Sequence, residues 1–136
     1  MVDETTSIHA PSGAIALQER LTCRDFGIYV ANCRLCKEQY VGQTMNTFSI
    51  RWNQHRMQWN KRVTRNSNKH NDNVALRKHF EKFHREFILQ NPDISECYSV
   101  IFVAKPEPHR LNFYEAKWHR TLNATINIQK MILPRI

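Results

Sequence analysis

A small mixed α/β (α+β) domain, built on a three-stranded and mostly antiparallel sheet with flanking helices, is the fold this sequence predicts. Two β-rich runs, Gly27-Ile28-Tyr29-Val30-Ala31 and Gln39-Tyr40-Val41-Gly42-Gln43-Thr44, are close enough to pair as a hairpin. A third, Ser99-Val100-Ile101-Phe102-Val103-Ala104, lies further on and is closed by Lys105-Pro106-Glu107-Pro108. Three segments with apolar residues at helical intervals complete the order ββααβα, which packs helices against a small sheet. A chain of 136 residues suits one domain, because a domain takes about 100 to 200 residues.

Taken in order, residues 1–22 begin with a polar Thr/Ser/Pro stretch, and only 14–21 has a helical pattern. They are expected to be a flexible lead or a short helix, with the folded domain over 23–136. After the hairpin, Asn46 or Thr47 can cap a helix that runs to about residue 63 and spaces Phe48, Trp52 and Trp59 for burial. Arg51, His55, Gln58 and Arg62 recur on its other side as a polar, cationic stripe. Residues 64–73 are polar and aperiodic, hence a loop. A second helix opens at Asn73 and continues to about Phe87, with Leu76, Phe80 and Phe83 as its apolar side. The third spans 111–122, with Leu111, Tyr114, Trp118 and Leu122 inward and Glu115 among its polar residues.

Composition narrows the function classes. Hydrophobic residues at 41% and charged residues at 24% exclude wholesale disorder. Twenty Lys plus Arg against 12 Asp plus Glu leave a net charge of +8, which favours a polyanionic partner, although a merely soluble basic protein has the same charge. No apolar run nears the roughly 18 residues of a membrane span, and Met1-Val2-Asp3-Glu4 is unlike a signal peptide, so a soluble intracellular chain with reduced thiols is expected.

The candidates for chemistry form an ordered set. Gly27-Ile28-Tyr29 and Tyr40-Val41-Gly42 lie on paired strands, Arg51 and His55 are four apart on one helix, Glu115 is on the third helix, and Asn127 follows. Tyrosines on a hairpin are by themselves ordinary sheet residues. Cys33 and Cys36 form a C-x-x-C in the hairpin connection, a spacing used for metal or redox chemistry. Two imidazoles, His79 and His84, could complete a tetrahedral Zn2+ shell with them, although the pairs are about forty residues apart, more than in a compact zinc finger. A closed shell of this kind is structural. An oxidoreductase is disfavoured because its C-x-x-C normally opens a helix. Cys23 and Cys97 are left as isolated thiols, and His9, His109 and His119 as surface histidines.

The two triplets with Arg51, His55, Glu115 and Asn127 in that order resemble the GIY-YIG nuclease family, over roughly residues 26–127, with Tyr-Val-Gly in place of Tyr-Ile-Gly. The resemblance implies a DNA endonuclease in which Glu115 holds one Mg2+ (or Mn2+), Arg51 contacts the scissile phosphate, and Asn127 supports the site. Tyr29 is then the candidate general base, with Tyr40 orienting water or phosphate and His55 assisting proton transfer. A phenol needs a depressed pKa to act as base, whereas a histidine does not. The C-x-x-C with its downstream H-x4-H resembles the endonuclease domain of Penelope-like retroelements. That implies a nuclear domain that nicks DNA so that the 3'-hydroxyl primes a reverse transcriptase domain of the parent protein. Arg51, Lys61, Arg62, Arg65, Lys69 and His70 are the expected DNA contacts, with a monomer nicking one strand. The competing expectation is a zinc-stabilised nucleic-acid-binding module without cleavage.

Overall fold

The computed structural model describes residues 7–17, 21–60 and 72–126, the side chains of 72–74 excepted. It opens with a hairpin of β1 (Ser7–Ala10) and β2 (Gly13–Ala16). The short helix thought possible from residue 14 is therefore not formed over β2. Alternation explains the strand: Ile8 and Ala10 are buried while Ser7 and His9 face out, and Gly13 supplies the positive φ of the turn, +116°. Gln39 Nε2 donates to the His9 carbonyl at 3.2 Å and ties the hairpin to the main sheet.

That sheet has the order β4-β3-β5 and is antiparallel throughout, with β3 (Gly27–Cys33), β4 (Gln39–Thr44) and β5 (Tyr98–Ala104). Gly27 begins β3 at φ +138°, where a Cβ would stand 2.2 Å from the Ala104 carbonyl oxygen, so only glycine fits. The two-residue period of β3 sends Tyr29, Ala31 and Cys33 to one face and Ile28 and Val30 to the other. The first face packs Phe48, Trp52, Leu76, Phe80 and Tyr98, and the second packs Leu111, Leu122, Ile8 and Val41. The sheet is thus covered on both sides.

Helix α1 (Phe48–Asn60) is capped by Thr47, whose Oγ1 accepts from the Ile50 amide at 3.3 Å. Its buried side is Phe48, Trp52, His55 and Trp59. Phe48 stacks on Phe102 of β5 at 3.9 Å, and Trp59 Nε1 donates to the Pro92 carbonyl at 2.9 Å. His55, expected on an outward cationic stripe, is instead 1% exposed, because the buried sector of α1 is wide enough to include it. The part of that helix expected beyond Asn60, and the loop expected over 64–73 as far as residue 71, lie outside the described residues, while residues 72 and 73 are helical.

The second helix begins at Asp72 and ends earlier than expected, as α2 (Asp72–Phe83) followed by α3 (Arg85–Ile88). His84, at φ −133° and ψ 48°, interrupts them. Leu76 and Phe80 are buried as expected, whereas Phe83 is half exposed. A capping box at Asp93 starts α4 (Ile94–Cys97), which leads directly into β5. Helix α5 (Leu111–Leu122) has the expected bounds and stops at Asn123, which is left-handed at φ 51°. His119 is half-buried, not a surface side chain, while His9 and His109 are exposed. Among the described residues, no helix is long and apolar enough to cross a membrane.

Candidate active site and metal cluster

Strand β3 carries Tyr29 toward α1, and α1 returns Arg51 and His55 to it. The Tyr29 hydroxyl is 2.8 Å from His55 Nε2 and accepts from Arg51 Nε at 3.3 Å. Arg51 Nη1 donates to Gln54 Oε1 at 3.1 Å, which leaves the guanidinium held at two points along its fork. Tyr29 and His55 are buried, and Arg51 is the least buried of the three. Tyr40, fully buried, places its ring centroid 6.4 Å from that of Tyr29 and 6.1 Å from that of His55. Four of the six expected catalytic residues therefore converge on the α1 face of the sheet.

The glycine of the second triplet has a steric cause. Tyr29 pairs with Gly42 across the hairpin, and its ring lies over that residue. A Cβ on Gly42 would meet both Tyr29 Cζ and Oη at 2.5 Å. Gly42→Ala must therefore push the phenol away from His55 and Arg51. The expected outcome is a destabilisation of about 1–3 kcal/mol, measured as a lower thermal midpoint, together with a Tyr29 ring displaced from His55 and Arg51 in protein that is still folded.

Glu115 approaches from the opposite face. It is half-buried on α5, and its Oε1 accepts from Gln43 Nε2, which also donates to Asn112 Oδ1 at 2.6 Å. Gln43 follows Gly42 on β4, so adjacent positions of one strand face the carboxylate and the tyrosine cluster. A carboxylate is the hard oxygen donor that Mg2+ or Mn2+ takes.

Cys33 at the end of β3, Cys36, His79 on α2 and His84 form a second cluster, with their ligand atoms all within 4.8 Å of one another. Cys33 Sγ lies 3.5 Å from His84 Nε2, and Cys36 Sγ lies 3.5 Å from His79 Nε2. Bond lengths of about 2.3 Å to sulfur and 2.0–2.1 Å to nitrogen at a tetrahedral angle require S···N separations of about 3.5 Å, so the donor set fits zinc. Glu38 Oε1 stands 3.6 Å from His79 Nδ1, the outer nitrogen, as a carboxylate that orients a metal-bound imidazole does. Burial pushes the Cys33 thiol up to about 12 and lowers His79, leaving the imidazole neutral as ligation requires. A coordinated cation ionises such a thiol.

The break at His84 is what makes this cluster possible. At 3.6 residues per turn, positions five apart point about 140° away from each other on an unbroken helix. Two neighbouring polar contacts brace the knuckle: the Arg34 amide donates to the Cys97 carbonyl at 2.8 Å and Arg34 Nε to the Ser95 carbonyl at 3.1 Å. Cys97 is buried beside it but lies outside the ligand set, and burial raises its thiol to about 12. Cys23 is exposed.

Lys61, Arg62, Arg65, Lys69, His70 and Asn127 lie outside the described residues. Two residues of the site that the sequence did not single out are Gln43 and Asn112. Their only signal was a glutamine next to the triplet glycine and an asparagine three residues before Glu115, on the same side of its helix.

A family model described as the GIY-YIG catalytic domain matches residues 25–127. No curated protein and no solved structure matches the chain.

Proposed function

The chain belongs to the GIY-YIG catalytic domain family, whose nuclease activity on DNA it shares, and from that premise we propose a metal-dependent endonuclease that nicks one strand and leaves a 3'-hydroxyl. The observation that carries this is the Tyr29 hydroxyl set between His55 Nε2 and Arg51 Nε. Hydrolysis needs a base for the attacking water and positive charge for the developing phosphorane. Tyr29 takes the proton of the water as its own passes to His55 Nε2. Arg51 stabilises the oxygen anion on Tyr29 through Nε and directs the rest of its fork to the nonbridging phosphate oxygens. Tyr40 packs against both rings and orients the water or phosphate. The phosphorus bond to the 3'-oxygen then breaks, and that oxygen takes a proton from solvent to leave as the hydroxyl, while His55 returns its extra proton to solvent.

Glu115 would hold the Mg2+ or Mn2+, which when bound supplies charge stabilisation at the phosphate and leaving oxygen. Asn127 is assigned a supporting hydrogen bond. Backbone contact by Lys61, Arg62, Arg65, Lys69 and His70 gives affinity that falls with salt and is indifferent to sequence.

We assign Zn2+ to Cys33, Cys36, His79 and His84 as a structural ion, since four protein ligands close its shell. The likeness of this quartet to that of Penelope-like elements supports the finer reading of a nuclear retroelement nickase, acting as a monomer, whose product primes a companion reverse transcriptase domain.

Incubation with supercoiled plasmid and Mg2+ tests the central reading, with nicked circles expected and EDTA abolishing them. Tyr29→Phe is expected to slow nicking by about 10²-fold, the low end for loss of an acid–base group, while the ring still covers Gly42. If zinc-loaded, folded protein shifts DNA on a gel but cuts no substrate with Mg2+ or Mn2+, the chain is a binding module instead.

A further inference from the structure

Gln43 on β4 touches the carboxylate side of the site while its neighbour, Gly42, supports the tyrosine side. Its primary amide nitrogen carries two hydrogens, and it has two acceptors, Glu115 Oε1 and Asn112 Oδ1, the latter at 2.6 Å. Turning the amide over would set its oxygen against both of those oxygens, so its orientation is fixed by its partners.

A neutral donor suits this place. A lysine or arginine would hold the carboxylate equally well but would cancel the charge that a divalent cation needs. Asn112, three residues before Glu115 on α5, presents its oxygen to the same nitrogen and keeps the amide from swinging away.

We propose that Gln43 is a positioning residue, anchored by Asn112, which holds the Glu115 carboxylate in the orientation from which it ligates the catalytic divalent cation. This rests on the assignment of Glu115 as the metal ligand. Outer partners of metal ligands typically contribute about 10–100-fold in affinity.

The test titrates Mn2+ into the zinc-loaded, DNA-free chain and follows the broadening of amide NMR resonances around Glu115, with Gln43→Met, Asn112→Ala and Glu115→Ala in parallel. Gln43→Met removes both donated hydrogen bonds at similar side-chain length. It is expected to raise the Mn2+ concentration for half-maximal broadening about tenfold, with the thermal midpoint and DNA affinity in EDTA close to wild type. Asn112→Ala, at an exposed position, is expected to raise it about threefold and serves equally if Gln43→Met does not fold. If Glu115→Ala abolishes the broadening but neither of the other variants moves its midpoint, the positioning role is overturned while the ligand assignment stands. If Glu115→Ala leaves the broadening intact, the ligand assignment fails and the role of Gln43 falls with it.

Discussion

Replacing Glu115 by Ala is expected to reduce plasmid nicking by about 10³-fold or more, with the fold and DNA binding retained. The magnitude follows from the loss of several kcal/mol of charge stabilisation at the transition state. The fold should survive because Glu115 is only half-buried and Gln43, which donates to it, keeps Asn112 as an acceptor. Nicking rates at saturating Mg2+, gel shifts in EDTA and thermal midpoints should be measured on the same preparation. A variant that nicks at wild-type rate would remove Glu115 from the site altogether. The effect should also differ from that of Tyr29→Phe. More Mg2+ should restore neither variant, whereas raising the pH should speed Tyr29→Phe by supplying hydroxide in place of the lost base.

Stripping zinc is expected to unfold the α2 side of the domain. Binding of structural zinc is worth about 10–16 kcal/mol in small zinc modules, comparable with the whole stability of about 5–15 kcal/mol of an ordinary domain. Here the ion would join the end of β3 to α2 and the His84 break, and His79 is fully buried beside Phe80 and Tyr98. Without it two thiols and two imidazoles remain crowded within 4.8 Å with no cation between them. Near-UV dichroism and the thermal midpoint should therefore both fall after chelation and return with added Zn2+, and Cys36→Ser should weaken zinc retention. Verified zinc removal that changes neither signal would exclude the staple. Nicking should be lost together with the fold, because β3 carries both Cys33 and Tyr29.

Much of this architecture was legible in local pattern. The β3–β4 hairpin follows from two β-rich runs around a short polar connection, and α5 shows in the spacing of Leu111, Tyr114, Trp118 and Leu122. Residues 7–16 were harder, since four-residue strands with Ala and Gly offer little β-propensity, and their pairing depends on Ile8 finding the α5 side of the core. The α2–α3 boundary was hidden because Phe83 and Phe87 continue a helical apolar pattern across His84. The two thiols and two imidazoles nonetheless form a recognisable chemical set from residue type and spacing alone.

Residue identity alone carries the chemical groups: two tyrosine triplets, an Arg and a His one helical turn apart, a carboxylate on the last helix and a thiol–imidazole quartet. Those are properties of residue type and of spacing within single elements. Long-range packing turns His55 inward onto Tyr29, breaks the backbone at His84 so that two imidazoles converge, and sets Gln43 against Glu115. Periodicity sets the angles between residues on one helix or strand. Which sector of that element meets the core, and what stands opposite it, is decided by packing against elements distant in the chain.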